Sequence, residues 1–190
     1  KLKPNQMKNL ISKYAGGILS LFYPDLCLAC QSNAPVKEDI LCVLCQLKLP
    51  KTKFHLQKEN AFTERFWGRL PLHSAAALYR FTKGGHVQQL IHQLKYKGKK
   101  DVGLKLGHYY GQELKVTPLF QNIDLIIPVP LHPKKKQKRG YNQSNLIARG
   151  LSEAMGIPWT GKGLVRTAFT ATQTQKSRIE RLENSLESGK

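Results

Sequence analysis

The sequence predicts an α/β protein that carries a small metal-binding module near its N-terminal end. Three observations predict it. Four cysteines fall as two C-x2-C pairs, Cys27, Cys30, Cys42 and Cys45. Downstream, short apolar runs alternate with segments whose apolar residues recur at helical spacing, the order expected of strands separated by helices. Residues 123–129, IDLIIPV, form a continuous apolar run, which fits a strand buried on both faces of a parallel sheet.

The elements follow in chain order. Residues 1–24 read as a helix, with Leu10, Ile11, Ala15, Ile18, Leu21 and Phe22 on one face. Their basic start and apolar continuation resemble an export segment only superficially. The apolar part is short, holds two glycines and lacks an A-x-A site. The chain begins at Lys1, not Met, and is read as a processed or truncated segment. Residues 25–49 form the metal module. Each C-x2-C turn aims two thiolates at one point, and two such turns close a tetrahedron around zinc. With four protein ligands the site is closed, hence structural. Two disulfides, buried thiols or a redox pair are the other readings of these cysteines.

Residues 50–73 form a polar connector, partly helical around Phe62 to Trp67. The second domain spans 74–190. It opens with a strand at 75–82, broken by Gly84-Gly85. Helices follow at Val87 to Lys95, with Leu90, Ile91 and Leu94 at helical spacing, and at about Asp101 to Lys115. After the 123–129 strand comes a helix from about Asn142 to Met155, then a short strand at 163–166 and a last helical pattern at Lys176 to Leu186.

The 190 residues carry 31 Lys+Arg against 12 Asp+Glu, a formal charge of +19. A polyanionic partner is implied: nucleic acid, phosphorylated small molecules or an anionic membrane surface. No apolar run approaches the roughly 18 residues of a membrane span. Between Ile126 and Ile179 there are ten Lys/Arg and one acid, Glu153. The densest stretch, Lys134, Lys135, Lys136, Lys138 and Arg139, directly follows the apolar strand. In open α/β sheets ligands sit beyond the carboxyl ends of the strands. A cationic loop there that runs into a helix N-terminus suits phosphate or pyrophosphate. Gly140 would let backbone amides approach an oxyanion, and Asn142 is placed to cap the helix. A solvated basic loop or a nucleic-acid patch is the plainer reading. A second cationic run, Lys95, Tyr96, Lys97, Lys99 and Lys100, is either an exposed linker or a place where Tyr96 stacks a base while lysines hold phosphate.

These motifs occur in one order: Cys27-x2-Cys30 with Cys42-x2-Cys45, Leu94-Lys-Tyr-Lys-Gly98, Pro128-Val-Pro-Leu-His132, Arg139-Gly-Tyr-Asn-Gln143, Arg166-x3-Thr170-x2-Gln173-Thr174, and Arg181-x2-Asn184. The ordered set resembles the ComF family of competence-associated, phosphoribosyltransferase-like proteins, from about residue 20 to 184. The middle of the chain also resembles glutamine phosphoribosylpyrophosphate amidotransferases. The resemblance implies a zinc module before a type I phosphoribosyltransferase-like parallel sheet with flanking helices. It implies a pyrophosphate-facing role for Lys134, Lys135, Lys136, Gly140 and Asn142. Arg139, Arg166, Gln173 and Arg181 become the catalytic candidates, the last three on a mobile loop.

The sequence departs from that pattern at one point. Type I phosphoribosyltransferases next carry a strand ending in two acids and a T-T/S-G turn, which hold the ribose and its 5′-phosphate. This sequence has no Asp-Asp pair, and Glu38-Asp39 lies between the cysteine pairs. The fold is therefore expected to be incomplete at its C-terminal end, and this chain to be silent as an enzyme. Turnover of phosphoribosyl pyrophosphate with Mg2+ is expected only of a longer form. The resemblance implies a cytoplasmic protein, working where strands arrive at the inner face of the membrane. It would handle single-stranded DNA in natural transformation beside competence import and recombination proteins. The enzyme reading is the alternative. Lys95, Tyr96, Lys97, Lys99, Lys100 and Tyr141 are the nucleic-acid candidates.

Overall fold

The computed structural model describes residues 24–166. The helix expected at the N-terminal end therefore lies outside the described residues up to residue 23, as does the last helical pattern. The chain divides into two compact units, Lys1–Gln93 and Leu94–Lys190.

In the first unit the metal module is built from turns and one short helix, α1 (Val43–Lys48). Its buried residues are few: Cys27, Ala29, Ile40, Leu41, Cys42, Cys45 and Leu49. The 50–73 segment is more ordered than a polar connector needs to be. Short 3₁₀ turns at Phe54–Leu56 and Thr63–Phe66 flank Asn60, which is buried. The Asn60 amide nitrogen donates to the carbonyls of Phe54, Gln57 and Ala75 at 3.2, 3.1 and 2.9 Å. Its oxygen accepts from Phe62 N and Thr63 N at 2.9 and 3.2 Å. One side chain thus supplies the partners that a loop lacking ladder bonds needs. The expected 75–82 strand is reduced to one antiparallel bridge, Lys51 with Tyr79, framed by Thr52 N to Leu78 O and Arg80 N to Pro50 O.

Helix α2 (His86–Tyr96) carries Val87, Leu90 and Leu94 buried along one face. Before it, Gly84 N donates to Gln88 Oε1 at 2.7 Å, fixing the entry to the helix.

The second unit is organised by α3 (Asp101–Lys115) packed on α5 (Gln143–Met155). Asp101 in the first turn of α3 and Lys115 in the last complement the helix dipole. The two helices approach so closely that glycines are required at the contact. A Cβ on Gly107 would clash with the carbonyl of Ile147, and one on Gly150 with the carbonyl of Leu104. At Gly103 and Gly111 it would lie 2.7 Å from the Cβ atoms of Leu146 and Ala154. The Gly103-x3-Gly107-x3-Gly111 spacing places all three on one face of α3.

The parallel sheet is not formed among the described residues. One parallel bridge, Ile126 with Trp159, joins the expected 123–129 strand to a residue outside the expected 163–166 strand, supported by Ile126 N to Pro158 O and Thr160 N to Ile126 O. The 123–129 run is not buried on both faces either. Leu125, Ile127 and Val129 are 44%, 44% and 67% exposed. These alternate residues share one side of an extended chain, so the apolar run lacks the second cover that its composition suggested. Residues 163–166 pair with nothing in a ladder.

The lysine run, expected as a loop, is a helix: α4 (Pro133–Arg139). Proline at its first position has φ preset for a helix and no amide to leave unsatisfied. His132 Nδ1 accepts from Lys134 N at 3.2 Å as the cap. Gly140, at φ 82, ends the helix and donates its N–H to Lys136 O at 2.7 Å.

Candidate functional site

The four cysteines come together as their spacing predicts. Their Sγ atoms all lie within 4.8 Å of one another, and Cys30 Sγ stands 3.8 Å from Cys42 Sγ. Four sulfurs about 2.3 Å from a central ion sit about 3.8 Å apart in a tetrahedron. All four are free thiols, and none is joined in a disulfide. The first pair is held by a turn in which Gln31 N donates to Cys27 O and Cys27 N to Asn33 O. The second pair begins α1, with Cys42 at its cap position. Asp39, read in the sequence as a spacer, braces the second pair. One carboxylate oxygen accepts from Ile40 N, and the other accepts from Gln46 Nε2 at 2.7 Å. The Cys30 thiol is drawn down to about 6, first by the Ser32 backbone and then by that of Asn33. Burial pushes the Cys45 thiol up. Cys30 therefore gives up its proton more readily than Cys45. The set can hold a metal ion such as zinc.

In the second unit the two basic segments, distant in sequence, meet. The guanidinium of Arg139, from the end of α4, lies 5.7 Å from the ring centre of Tyr96, the last residue of α2. The ammonium of Lys100 lies 5.3 Å from the ring centre of Tyr141. The Tyr141 hydroxyl donates to the carbonyl of Leu94. Arg139 Nη1 donates to Gln143 Oε1 at 2.8 Å. Cation–π contacts of this kind contribute about 0.5–1 kcal/mol each when exposed. Here they join the end of α2 to the α4–α5 corner.

Helix α4 sorts its cations by face. Lys135 and Arg139, four residues apart, are half-buried, whereas Lys134, Lys136 and Lys138 are exposed. Burial lowers the Lys135 ammonium below its ordinary value, and the positive charges of Arg166 and Arg139 add to the effect. Lys135 thus feels the charges of Arg166 and Arg139, and an anion beside it would relieve that repulsion. Gly140 gives its amide to Lys136, as described. Asn142 is committed as well: Oδ1 accepts from Ser144 N at 3.1 Å, while Nδ2 donates to Val129 O at 3.0 Å and to Asn145 Oδ1 at 2.9 Å. It caps α5 and ties that helix to the end of the extended run. Burial raises the Tyr141 phenol, with Arg139 opposing. Lys95, Lys97, Lys99 and Lys100 are exposed. Gln173 and Arg181 lie outside the described residues.

Sequence reasoning quoted Gln143 within a motif but gave it no role. The i, i+4 spacing from Arg139 was the available signal. Among the described residues, no helix is long and apolar enough to cross a membrane.

A four-cysteine metal module together with a basic helical unit is the class of protein that these residues define. No family model and no solved structure matches the chain. Over 159 residues it is 31% identical to the DNA utilization protein YhgH of Shigella flexneri and 30% identical to that of Escherichia coli strain K12. Each alignment covers 82% of this chain and 66% of the relative, so the chain spans just under two thirds of those proteins. It is 25% identical over 172 residues to competence protein F of Haemophilus influenzae, covering 86% of this chain and 75% of that protein. The chain belongs to the ComF family.

Proposed function

We propose that this chain handles incoming single-stranded DNA in natural transformation, from the cytoplasmic side of the membrane and beside the import and recombination proteins of competence. The observation that carries the reading is the convergence of the 95–100 and 133–141 basic segments around Tyr96 and Tyr141. Family membership supports it, as do relatives named for competence and DNA utilization. The charge of +19 favours any polyphosphate. The exposed Lys134, Lys136 and Lys138 suit an extended backbone, with one counterion released for each phosphate they neutralise. Zinc is the ion that the four thiolates suit, and it would serve as a structural cross-link of the module. The parallel bridge of Ile126 with Trp159 supports a phosphoribosyltransferase-like arrangement, with α4 and α5 in the connection between the paired segments.

The test is binding of a labelled single strand across a salt series. Replacing Lys134, Lys136 and Lys138 together by Ala is expected to weaken binding and to flatten the salt slope by roughly 0.7 per lost phosphate contact. Unchanged affinity and slope would show the lysines to be only a solvated face.

A second reading has its own observation. Lys135 lies within reach of the charges of Arg139 and Arg166, as a compact polyphosphate site requires. A phosphoribosyltransferase acting on phosphoribosyl pyrophosphate is the corresponding activity. Competition separates the two readings: phosphoribosyl pyrophosphate outcompeting an oligonucleotide, with pyrophosphate release, favours the enzyme.

A further inference from the structure

We propose, resting on the single-strand reading above, that the ring of Tyr96 stacks one base of the strand and so sets the preference for single strands over duplex. Tyr141 is a strut and not a platform. The two tyrosines look alike in sequence, since each lies in or beside a cation-rich run. The geometry separates them. Tyr141 is half-buried, its hydroxyl is bound to the Leu94 carbonyl, and its ring lies against the Lys100 ammonium. Releasing it to meet a base would cost all of these contacts.

Tyr96 is 57% exposed, at the very end of α2, between the exposed Lys95 and Lys97. Its orientation is fixed by Arg139, which is half-buried and anchored in turn by Gln143. An exposed ring held in place loses little conformational entropy when a base lies on it. Every base has a π-face, so the contact tolerates any sequence. A duplex keeps its bases stacked inside and offers none to the ring. Lysines contact the phosphates of both forms, and the denser charge of a duplex favours the duplex, so charge alone cannot produce a preference for single strands. Gln143 acts through Arg139 and is a positioning residue.

The test measures the anisotropy of three labelled probes: a 20-nucleotide oligothymidylate, a sugar–phosphate strand of the same length without bases, and a 20-base-pair duplex. Tyr96→Ala is expected to weaken oligothymidylate binding about five- to hundredfold, with an unchanged salt slope. Affinity for the abasic strand and the duplex should stay within about twofold, and Tyr96→Trp should restore oligothymidylate binding. Tyr141→Phe, which loses the bond to the Leu94 carbonyl, should lower thermal stability. Oligothymidylate binding unaffected by Tyr96→Ala overturns the proposal. So does an equal loss on the abasic strand, which would mean that Tyr96 merely holds the lysines in place. Failure of the wild-type chain to bind any strand would instead overturn the single-strand reading beneath it.

Discussion

The cysteine module and the helix pair reach order by opposite routes. Around the cysteines, seven small or medium residues are buried while Val43, Leu44 and Leu47 stand exposed on α1. So small an apolar core offsets little of the conformational entropy lost on folding. Order there depends on four sulfur atoms and on the bonds of Asp39. In the α3–α5 pair no ion is needed. Order comes from two backbones in direct contact, permitted by side chains that are absent. A point cross-link tolerates poor packing around it but not the loss of one ligand. A close helix contact tolerates changes at its rim but not one added methyl group at its centre.

The largest expected effect follows from denying the four cysteines the zinc ion proposed for them. Structural zinc contributes on the order of 10–16 kcal/mol of apparent binding free energy at neutral pH, comparable to the whole stability of a typical domain. A strong chelator, or Cys45→Ser, should therefore unfold residues 27–49. Hydrogen exchange resolves this locally. The Leu28 amide, bonded to Ile40 O, should lose protection while amides in the middle of α3 and α5 keep theirs. Protection of Leu28 that survives chelation would mean that the module holds itself together without metal.

The next effect concerns Gly107→Ala. An alanine gains about 1 kcal/mol of helix propensity. Against this, its Cβ meets a backbone carbonyl, which cannot rotate away, and overpacking of this kind costs about 3 kcal/mol. Net destabilisation of about 2 kcal/mol is expected from urea unfolding. Gly103→Ala should cost less, because the obstruction there, the Leu146 Cβ at 2.7 Å, lies farther off than the carbonyl oxygen that a Cβ on Gly107 would meet. Equal costs at the two positions would mean that the helices separate as a body instead of yielding locally.

The same contrast governs what the sequence could reveal. The metal site was legible because four rare residues at fixed spacing admit few geometries. The long helices were legible because buried residues recur every three or four positions, as Leu90 and Leu94 do. The glycine contact was not read, since Gly103, Gly107 and Gly111 register as missing apolar signal. Helix α4 was masked by its charge, although His132-Pro133 and Gly140 mark its start and stop. The sheet was inferred from apolar runs, but a run states only that a segment wants cover. It does not supply the neighbouring strand, and Ile126 finds a single bridge. Tyr96 and Tyr141 were indistinguishable for a similar reason: local sequence gives the chemistry of a ring, while its exposure depends on residues tens of positions away.

The smallest effect tests the joint between the extended run and the helix pair. Asn142 serves both: its oxygen caps α5 through Ser144 N, and its nitrogen reaches Val129 O. Serine supplies a capping oxygen of comparable quality but is too short to hold both positions at once. Asn142→Ser should therefore keep the cap and lose the tie, at a cost of about 1 kcal/mol for one hydrogen bond. Asn142→Ala loses both and should cost about 1 kcal/mol more. Urea midpoints measured at constant m-value give the two increments. If serine is as costly as alanine, the cap contributes nothing and the tie to Val129 carries the whole effect. If serine costs nothing, the extended run is held by the Ile126–Trp159 bridge alone, and the helix pair folds without reference to it.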